Sequence, residues 1–276
     1  VLDCTLRDGG YYNKWNFDID IINQYLNTMK IAKVDVVELG FRFLKSDSFL
    51  GSCAFSKDNF LETLKIPSSL EVAVMVNCSD LINESGWEKT MKLLFPNNSD
   101  NSPVSIVRFA CHFKDLEIGL KAGAWAHKQG FKVGINLMQI SDRSMDEIEE
   151  FTNLANKYPV DVLYIADSTG SLKPLDVKQI IKKIKSNWNG DVGVHMHDNL
   201  GLALSNSLEG YREGATWLDS TVTGMGRGPG NTKTEELLIE LISEMDIDIV
   251  LPLLTLVNSH FNKLKSKYGW GTNPFY

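Results

Sequence analysis

Two histidines separated by one residue form the sharpest chemical pattern in the sequence. His195 and His197 flank Met196 at the end of an apolar run. In a β-strand, residues i and i+2 point to the same face and lie about 6.5–7 Å apart, so two imidazoles at this spacing can bind one divalent ion. Two structural histidines that happen to alternate are the alternative. The pattern favours a metal site at the end of a strand.

An adjacent arginine and aspartate follow the first apolar run of the chain, at Arg7 and Asp8. With the two histidines, Asp8 would leave about three open positions on an octahedral ion and would suit Mn²⁺, Mg²⁺, Fe²⁺ or Zn²⁺. Arg7 beside the ion would suit a 2-oxo acid and its enolate. A turn aspartate and a salt bridge at the rim are the alternatives. Non-haem iron oxygenases use the same ligand set, so these residues alone do not name the reaction.

Three further polar residues lie in or directly after apolar runs. Glu38, within VVELG, is a carboxylate in an otherwise apolar strand, and pairing with Arg7 would satisfy it. Asp167 and Ser168 follow the run VDVLYIA, where they can either bind substrate or cap the next helix.

A glycine-rich loop, GMGRGPGN, spans residues 224–231. It matches neither the P-loop nor GxGxxG, which argues against a nucleotide site. Glycines such as Gly226 let the backbone approach a ligand or turn sharply, and Asn231 at the end of the loop can reach the metal. A plain turn is equally compatible with this spacing.

Eight short apolar runs separated by helical stretches organise the chain. They start at residues 1, 34, 71, 104, 132, 160, 191 and 217. Their spacing is close to the roughly 30 residues of one βαβ step, and runs rich in valine and isoleucine are typical of a parallel sheet that is buried on both faces. Amphipathic segments at 18–33, 144–158 and 173–187 lie between the runs and begin near Asp, Ser or Pro.

This organisation predicts an α/β fold, a (β/α)8 TIM barrel that forms a single catalytic domain over residues 1–276. Two helices, at about 232–245 and 249–266, are expected after strand 8. The alternative is an open doubly wound sheet, which usually has fewer strands and a phosphate loop after strand 1. Because barrel active sites lie at the carboxyl ends of the strands, the polar residues named above are expected to meet there.

Composition limits the partners of this chain. Its 28 basic and 35 acidic residues give a net charge of −7, and an acidic balance argues against nucleic acid. No run approaches the roughly 18 apolar residues of a membrane span, so we expect no membrane partner. The four cysteines show no CxxC pattern, which indicates a reducing compartment, and we expect the protein to be cytoplasmic.

Together these motifs resemble the DRE-TIM metallolyases, the HMGL-like group. The hallmark first strand ending in TLRDG is present at 5–9, the strand-2 acid resembles Glu38, and the HxH motif lies within VHMHDNLGLA. The segments VRFACHF, YIADSTG and KYGWG are most similar to the 4-hydroxy-2-oxovalerate aldolase branch. The resemblance implies that Asp8, His195 and His197 are metal ligands with Asn231 as a fourth, and that Arg7 stabilises an enolate.

The sequence departs from the group's patterns after RDG and before the strand-6 aspartate, and it lacks the cysteine that the CoA lyase carries in the strand-8 loop. The aldolase branch has a proton-transferring histidine just after RDG, where this chain has Gly10, Tyr11 and Tyr12. One of these tyrosines either replaces the histidine as the general acid or base, or lines the pocket. Biotin carboxyltransferases carry a carboxylated lysine where this chain has Ala166, which disfavours that activity and also a Schiff-base aldolase.

We therefore expect a divalent-metal aldolase or lyase that makes or breaks a C–C bond next to a 2-oxo acid. The expected cofactor is Mn²⁺ or Mg²⁺, with Zn²⁺ as an alternative, and the expected partners are a 2-oxo acid and an aldehyde. The substrate-binding residues would be Arg7, Asp167, Ser168 and Gly226. The alternatives are a Claisen synthase that uses acetyl-CoA and a catalytically silent barrel. The aromatic tail at 268–276 leads us to expect a further C-terminal segment, and a homo-oligomer or partner enzyme is compatible with the acidic surface.

Overall fold

The chain forms a closed barrel of eight parallel strands that neighbour one another in chain order. This computed structural model describes residues 1–242 and 247–275. Each strand coincides with one of the eight apolar runs and extends at most one residue beyond it, so the predicted barrel is confirmed and the open doubly wound sheet is excluded. The strands are β1 (Leu2–Asp3), β2 (Val36–Phe41), β3 (Glu71–Asn77), β4 (Ile106–Cys111), β5 (Lys132–Met138), β6 (Val162–Asp167), β7 (Asp191–Met196) and β8 (Trp217–Ser220).

Helices connect the strands and continue after β8. The α-helices of the described residues are α1 (Thr5–Asp8), α2 (Gly10–Asn13), α3 (Ile19–Ile31), α4 (Ser52–Phe55), α5 (Asp58–Leu61), α6 (Trp87–Leu94), α7 (Leu116–Lys128), α8 (Met145–Ala155), α9 (Pro174–Lys185), α10 (Ala203–Arg212), α11 (Thr234–Leu241), α12 (Ile247–Leu256) and α13 (Asn262–Tyr268). A π-helical stretch, Val257–Phe261, joins the last two. The end of the helix predicted at 232–245 lies partly outside the described residues. Within the described ranges, no helix is long and apolar enough to span a bilayer.

Local sequence signals explain where the outer helices begin. Before α8, the Ser144 hydroxyl accepts a hydrogen bond from the Glu147 amide, and the Glu147 carboxylate accepts one from the Ser144 amide. This reciprocal capping box satisfies two amides that the helix leaves unpaired. Helix α9 starts with Pro174, whose missing N–H costs nothing at the first helical position.

Strand β1 is only two residues long because the chain turns into α1 immediately after it. The Asp3 carboxylate accepts hydrogen bonds from the Thr5 amide at 2.8 Å and the Thr5 hydroxyl at 2.6 Å, which favours the turn over a longer strand. Arg7 and Asp8 therefore lie on a buried helical turn rather than on a strand.

The side chains inside the barrel change from apolar to charged and aromatic along the strands. Near their amino ends it is apolar, with a cluster formed by Leu2, Cys4, Val36, Ala73 and Ile106. The next layer contains charged and aromatic side chains, which are Glu38, Arg108, Tyr164 and Asp219. Two glycines make room for the largest of these. A Cβ added at Gly193 would lie 2.2 Å from the Tyr164 ring, and one at Gly134 would lie 3.2 Å from both Arg108 and Tyr164.

We expect Gly193→Ala to destabilise the fold by about 1–3 kcal/mol, because the new methyl overlaps a ring that packing holds in place. Gly134→Ala should cost less, since its contacts are tight but do not overlap. Urea unfolding of both variants measures the difference. Equal losses, or no loss at Gly193, would contradict this account of the interior.

Candidate active site

A cavity of about 420 Å³ opens at the carboxyl ends of the strands. One side carries the charged residues of the β1 and β7 ends, which are Arg7, Asp8, His195 and His197. The other side is formed by the ends of β3 to β6 and the segments after them. It carries the polar side chains of Asn77, His112, Asn136, Gln139, Ser168 and Thr169, together with the apolar Met75, Ala110, Met138 and Ala166. Four residues that the HxH and RD patterns singled out thus lie in one cavity.

Arg7 is held rigidly at the charged side of the cavity. Its Nε donates to Oε2 of Glu38 at 2.7 Å, so the pairing predicted from the sequence is present. Its Nη1 lies 3.1 Å from Oδ1 of Asp8. Burial alone would raise the pKa of Asp8, but Arg7 and His195 together hold that pKa well below its usual range. The carboxylate of Asp8 is therefore ionised and available as a ligand.

His195 is oriented by carboxylates on both sides of its ring. Nδ1 lies 2.9 Å from Oδ2 of Asp219, and Nε2 lies 3.3 Å from Oδ2 of Asp8. Burial favours a neutral ring, whereas the hydrogen bonds with Asp219 and Asp8 prevail and raise the pKa of His195. Once Nε2 loses its proton, His195 still donates Nδ1–H to Asp219 and presents the lone pair of Nε2, which is the usual arrangement of a metal-binding imidazole.

His197 lies beside His195, with ring centroids 5.2 Å apart. Burial, assisted by the nearby cations and opposed by Asp8, lowers the pKa of His197 to about 3. The ring is therefore neutral near pH 7 and can act as a ligand without losing a proton. Its backbone pairs with that of Asn231 in an isolated antiparallel bridge, which ties the glycine-rich loop to the end of β7.

The loop brings Asn231 and Gly226 to the same place. Nδ2 of Asn231 lies 3.1 Å from Nε2 of His195. A Cβ at Gly226 would lie 1.7 Å from Oδ1 of Asn231 and 3.3 Å from Oδ2 of Asp8. Any larger residue at position 226 would fill the space between these two oxygens.

These residues fit a divalent metal ion. Oδ1 of Asn231 is buried without a hydrogen-bond partner, and Oδ2 of Asp8 has only a long contact with Nε2 of His195 at 3.3 Å. A buried oxygen that is not fully paired is costly unless a ligand satisfies it. Together with two imidazoles they form a donor set of oxygen and nitrogen atoms, which suits Mn²⁺, Mg²⁺ or Zn²⁺.

Cys4 also lies close to this group, although the sequence indicated only a buried apolar role for it. Its Sγ and the ligand atoms of Asp8 and His195 all lie within 4.8 Å of one another. Burial raises the pKa of the Cys4 thiol well above its usual value, and the thiol donates a hydrogen bond to the Ser220 carbonyl. A protonated thiol is a poor metal ligand, which argues against Cys4, and the ring of His197 lies next to that of His195 as another donor.

A network of buried charges in the barrel interior holds the residues of the site in position, and the sequence interpretation missed it. Arg108, fully buried in β4, contacts Glu38 through Nη1 at 3.1 Å and Asp219 through Nη2 at 2.5 Å, and its guanidinium lies 4.1 Å from the centre of the Tyr164 ring. Since Glu38 holds Arg7 and Asp219 holds His195, Arg108 connects the two sides of the charged cluster. The sequence did contain a signal for this network. Arg108 and Asp219 are single charged residues within the apolar runs VSIVRFA and WLDSTVT, just as Glu38 is within VVELG.

The structure places the remaining candidate residues in different surroundings. Tyr11 lines the cavity, whereas Tyr12 donates its hydroxyl hydrogen bond to the Gly228 carbonyl at 2.8 Å. Ser168 lines the cavity as well. The Asp167 carboxylate accepts hydrogen bonds from the backbone amides of Ser171 and Leu172, so it stabilises the turn after β6.

Arg227 is a cavity-lining residue that the sequence interpretation did not single out. It lies in the glycine-rich loop, and its Nη2 donates to the Ser168 carbonyl at 3.3 Å. This contact links the loop after β8 to the segment after β6 across the cavity mouth.

Comparison with known proteins gives consistent matches over nearly the whole chain. The 4-hydroxy-2-oxovalerate aldolase of Geobacillus thermodenitrificans is 34% identical over 274 residues, covering 92% of this chain and 76% of that protein. The enzyme of the same name from Geobacillus genomosp. 3 is 28% identical over 267 residues, covering 94% of this chain and 74% of that protein.

Solved structures show the same architecture. The N-terminal domain of a putative aldolase from Bacteroides vulgatus superposes with a TM-score of 0.84 at 31% identity, covering 99% of this chain and 89% of that one. The HMG-CoA lyase of Bacillus subtilis superposes with a TM-score of 0.75 at 14% identity, covering 99% of this chain and 94% of that one, which shows a shared fold. The sequence pattern of the HMGL-like family matches residues 1–258. The chain therefore belongs to the HMGL-like family, as its motifs and barrel indicate.

Proposed function

We propose that this protein is a divalent-metal-dependent aldolase that makes or breaks a carbon–carbon bond next to a 2-oxo acid such as pyruvate, in the manner of 4-hydroxy-2-oxovalerate aldolase. The observation that carries the proposal is the buried guanidinium of Arg7, fixed by Glu38, beside a cluster of oxygen and nitrogen donors at the cavity. The names of the relatives support the same reaction class.

Asp8, His195 and His197 would hold the metal, with Asn231 as a fourth ligand. When bound, a divalent ion supplies a Lewis acid that polarises the keto group of the 2-oxo acid. Oxygen and nitrogen donors support Mn²⁺ or Mg²⁺, and Zn²⁺ is compatible with the two imidazoles.

Arg7 would stabilise the charge that develops as the substrate becomes an enolate. Its guanidinium is positioned before substrate binds, because Glu38 and Asp8 hold two of its nitrogens. A fixed cation costs no reorganisation at the moment of reaction, and its interaction strengthens as negative charge accumulates on the substrate oxygen. Glu38 acts through Arg7 rather than on the substrate, since it is fully buried below it.

Tyr11 is the better candidate for proton transfer. It lines the cavity, whereas the hydroxyl of Tyr12 is engaged with the Gly228 carbonyl. Ser168 and Arg7 would contact the substrate, and Gly226 would leave the space that it needs. Asp167 would contribute by shaping the turn that carries Ser168.

The proposal is tested by the enolisation of pyruvate without an aldehyde. An aldolase of this type generates the enolate as its nucleophile, so protein with Mn²⁺ and pyruvate in heavy water should exchange the methyl protons for deuterium. A Claisen synthase would exchange the acetyl protons of acetyl-CoA instead, and a silent barrel would exchange neither. Proton NMR that showed no exchange in pyruvate at a metal-loaded site would refute the aldolase proposal.

Metal affinity should depend on pH through His195. Its pKa is raised, and the protonated ring cannot act as a ligand, so the affinity for Mn²⁺ should fall about tenfold per pH unit below that pKa. Asp219→Asn removes the hydrogen bond that raises the pKa, which should move this fall to lower pH. Calorimetric titrations between about pH 6 and 9 measure both effects. An identical pH profile in the variant would contradict the role of Asp219.

We further propose that residues 1–276 form one catalytic domain that works in the cytoplasm. The four cysteines are free and buried, which is compatible with a reducing compartment. The substrates would be a small 2-oxo acid and an aldehyde, and a second copy or a partner enzyme would be compatible with the acidic charge.

A further inference from the structure

We propose that the aldehyde substrate is a hydroxyaldehyde, with hydroxyl groups next to its carbonyl, and that Asn136 recognises it. This inference rests on the proposed aldolase function and names the chemical class of its second substrate. It is carried by an unsatisfied buried amide, by the chemistry of the cavity wall and by the size of the cavity.

Asn136 is a polar residue in the middle of an apolar strand, β5. Its side chain lines the cavity and is only 3% exposed, and its Oδ1 has no hydrogen-bond partner. It faces the barrel interior together with Gly134, two residues earlier on the same strand. A buried amide without a partner costs about 1–3 kcal/mol, so a strand this apolar would favour a hydrophobic residue here unless a ligand uses the amide.

The wall around Asn136 is suited to hydroxyl groups. Asn77, His112, Gln139, Ser168 and Thr169 line the same side of the cavity, interspersed with the apolar Met75, Ala110, Met138 and Ala166. The amides and hydroxyls among them can both donate and accept hydrogen bonds. Within the described residues, Asp8 is the one carboxylate of the lining, and it belongs to the opposite, charged side. The hydroxyls of Ser168 and Thr169 are already hydrogen-bonded within the protein. A simple alkyl aldehyde would leave Oδ1 of Asn136 facing a methyl group, whereas a hydroxyl would satisfy it.

The cavity is also larger than a two-carbon aldehyde requires. Its volume of about 420 Å³ lies within the range of roughly 300–1,000 Å³ that is typical of ligand pockets for drug-sized molecules. Pyruvate and acetaldehyde together have about nine non-hydrogen atoms, which leaves room for several more on the acceptor. An aldehyde of three or four carbons with hydroxyl groups would fill this space.

The reaction with such an acceptor needs no further reagent. A bond forms between the methyl carbon of pyruvate and the carbonyl carbon of the aldehyde. One methyl proton leaves to a base in the cavity, and one proton returns to the new alkoxide. The product, a 4-hydroxy-2-oxo acid with further hydroxyls beyond carbon 4, contains all the atoms of both substrates.

The test compares aldehydes of equal carbon number on the metal-loaded protein. We expect kcat/KM with glyceraldehyde to exceed that with propanal by about 30-fold or more, because sites built to bond a hydroxyl discriminate strongly against analogues that lack it. Pyruvate exchange in heavy water is measured on the same preparation. Exchange without a preference for glyceraldehyde would overturn this inference alone, whereas the absence of exchange would overturn the aldolase function on which it rests.

Asn136→Ala separates recognition of the aldehyde from the chemistry on pyruvate. In this variant, kcat/KM with glyceraldehyde should fall to within about threefold of the propanal value, while pyruvate exchange without aldehyde stays within about twofold of wild type. An equal loss in both assays would overturn the assignment, because Asn136 would then serve the enolate. Asn98→Ala, on an exposed segment before β4, is the matched control and should change neither. If Asn136→Ala did not fold, Asn136→Ser would replace it, and the comparison of aldehydes on the wild-type protein stands by itself.

Discussion

Arg7→Lys is expected to slow the metal-dependent exchange of pyruvate methyl protons by about 100-fold or more. Lysine keeps the charge but cannot contact Glu38 and Asp8 with separate nitrogens, as the guanidinium does at 2.7 and 3.1 Å. The cation would therefore no longer be fixed where charge develops on the substrate. Proton NMR in heavy water, with Mn²⁺ and pyruvate at saturation, measures the rate.

Two controls separate this effect from a loss of the site. The variant should retain one equivalent of metal, since Arg7 is not a ligand. Glu38→Gln should slow exchange by a smaller factor, because it loosens Arg7 without removing it. Exchange in Arg7→Lys at the wild-type rate would show that another group stabilises the enolate.

His195→Ala and His197→Ala are each expected to lose tight metal binding while the barrel stays folded. The ligands must act together on one ion, and they lie at the end of the strands where barrels place catalysis rather than stability. Elemental analysis of the purified variants measures the metal, and circular dichroism checks the fold. His127→Ala is the matched control, since that histidine is largely exposed and lies away from the cavity. A full equivalent of metal in either variant would exclude the assignment.

Cys4→Ser tests the other arrangement that the geometry allows. Cys4 lies with Asp8 and His195 in one compact group, yet its raised pKa keeps the thiol protonated. We therefore expect this variant to retain its metal. Loss of metal in Cys4→Ser together with retention in His197→Ala would replace His197 by the thiol in the ligand set.

The strands and their order were determined by the sequence, because the signals that specify them are local. Runs of valine and isoleucine at intervals of about 30 residues predict a parallel sheet, and their number favoured a barrel over an open doubly wound sheet. The pairing of Arg7 with Glu38 was also predictable, since a carboxylate inside an apolar strand must find a cation. The HxH spacing predicted that His195 and His197 lie close together at a strand end, and the structure has His195 in β7 and His197 directly after it.

The detailed surroundings of the site were decided by the tertiary structure. Asp3 caps the chain after two strand residues, so Arg7 and Asp8 lie on a helical turn that no periodicity indicated. Whether Tyr11 or Tyr12 faces the cavity depends on the Gly228 carbonyl, more than 200 residues away in the chain.

Closure of the barrel also determined which charged residues pair in the interior, because it brings together residues that are far apart in the sequence. Arg108 meets Asp219 across 111 residues of sequence, and Asn136 faces a cavity instead of a partner. Such contacts depend on which strands closure brings face to face and on where glycines leave room, as Gly193 does for Tyr164. A local pattern shows that a buried polar group needs a partner, but only the closed barrel determines which residue, or which ligand, provides it.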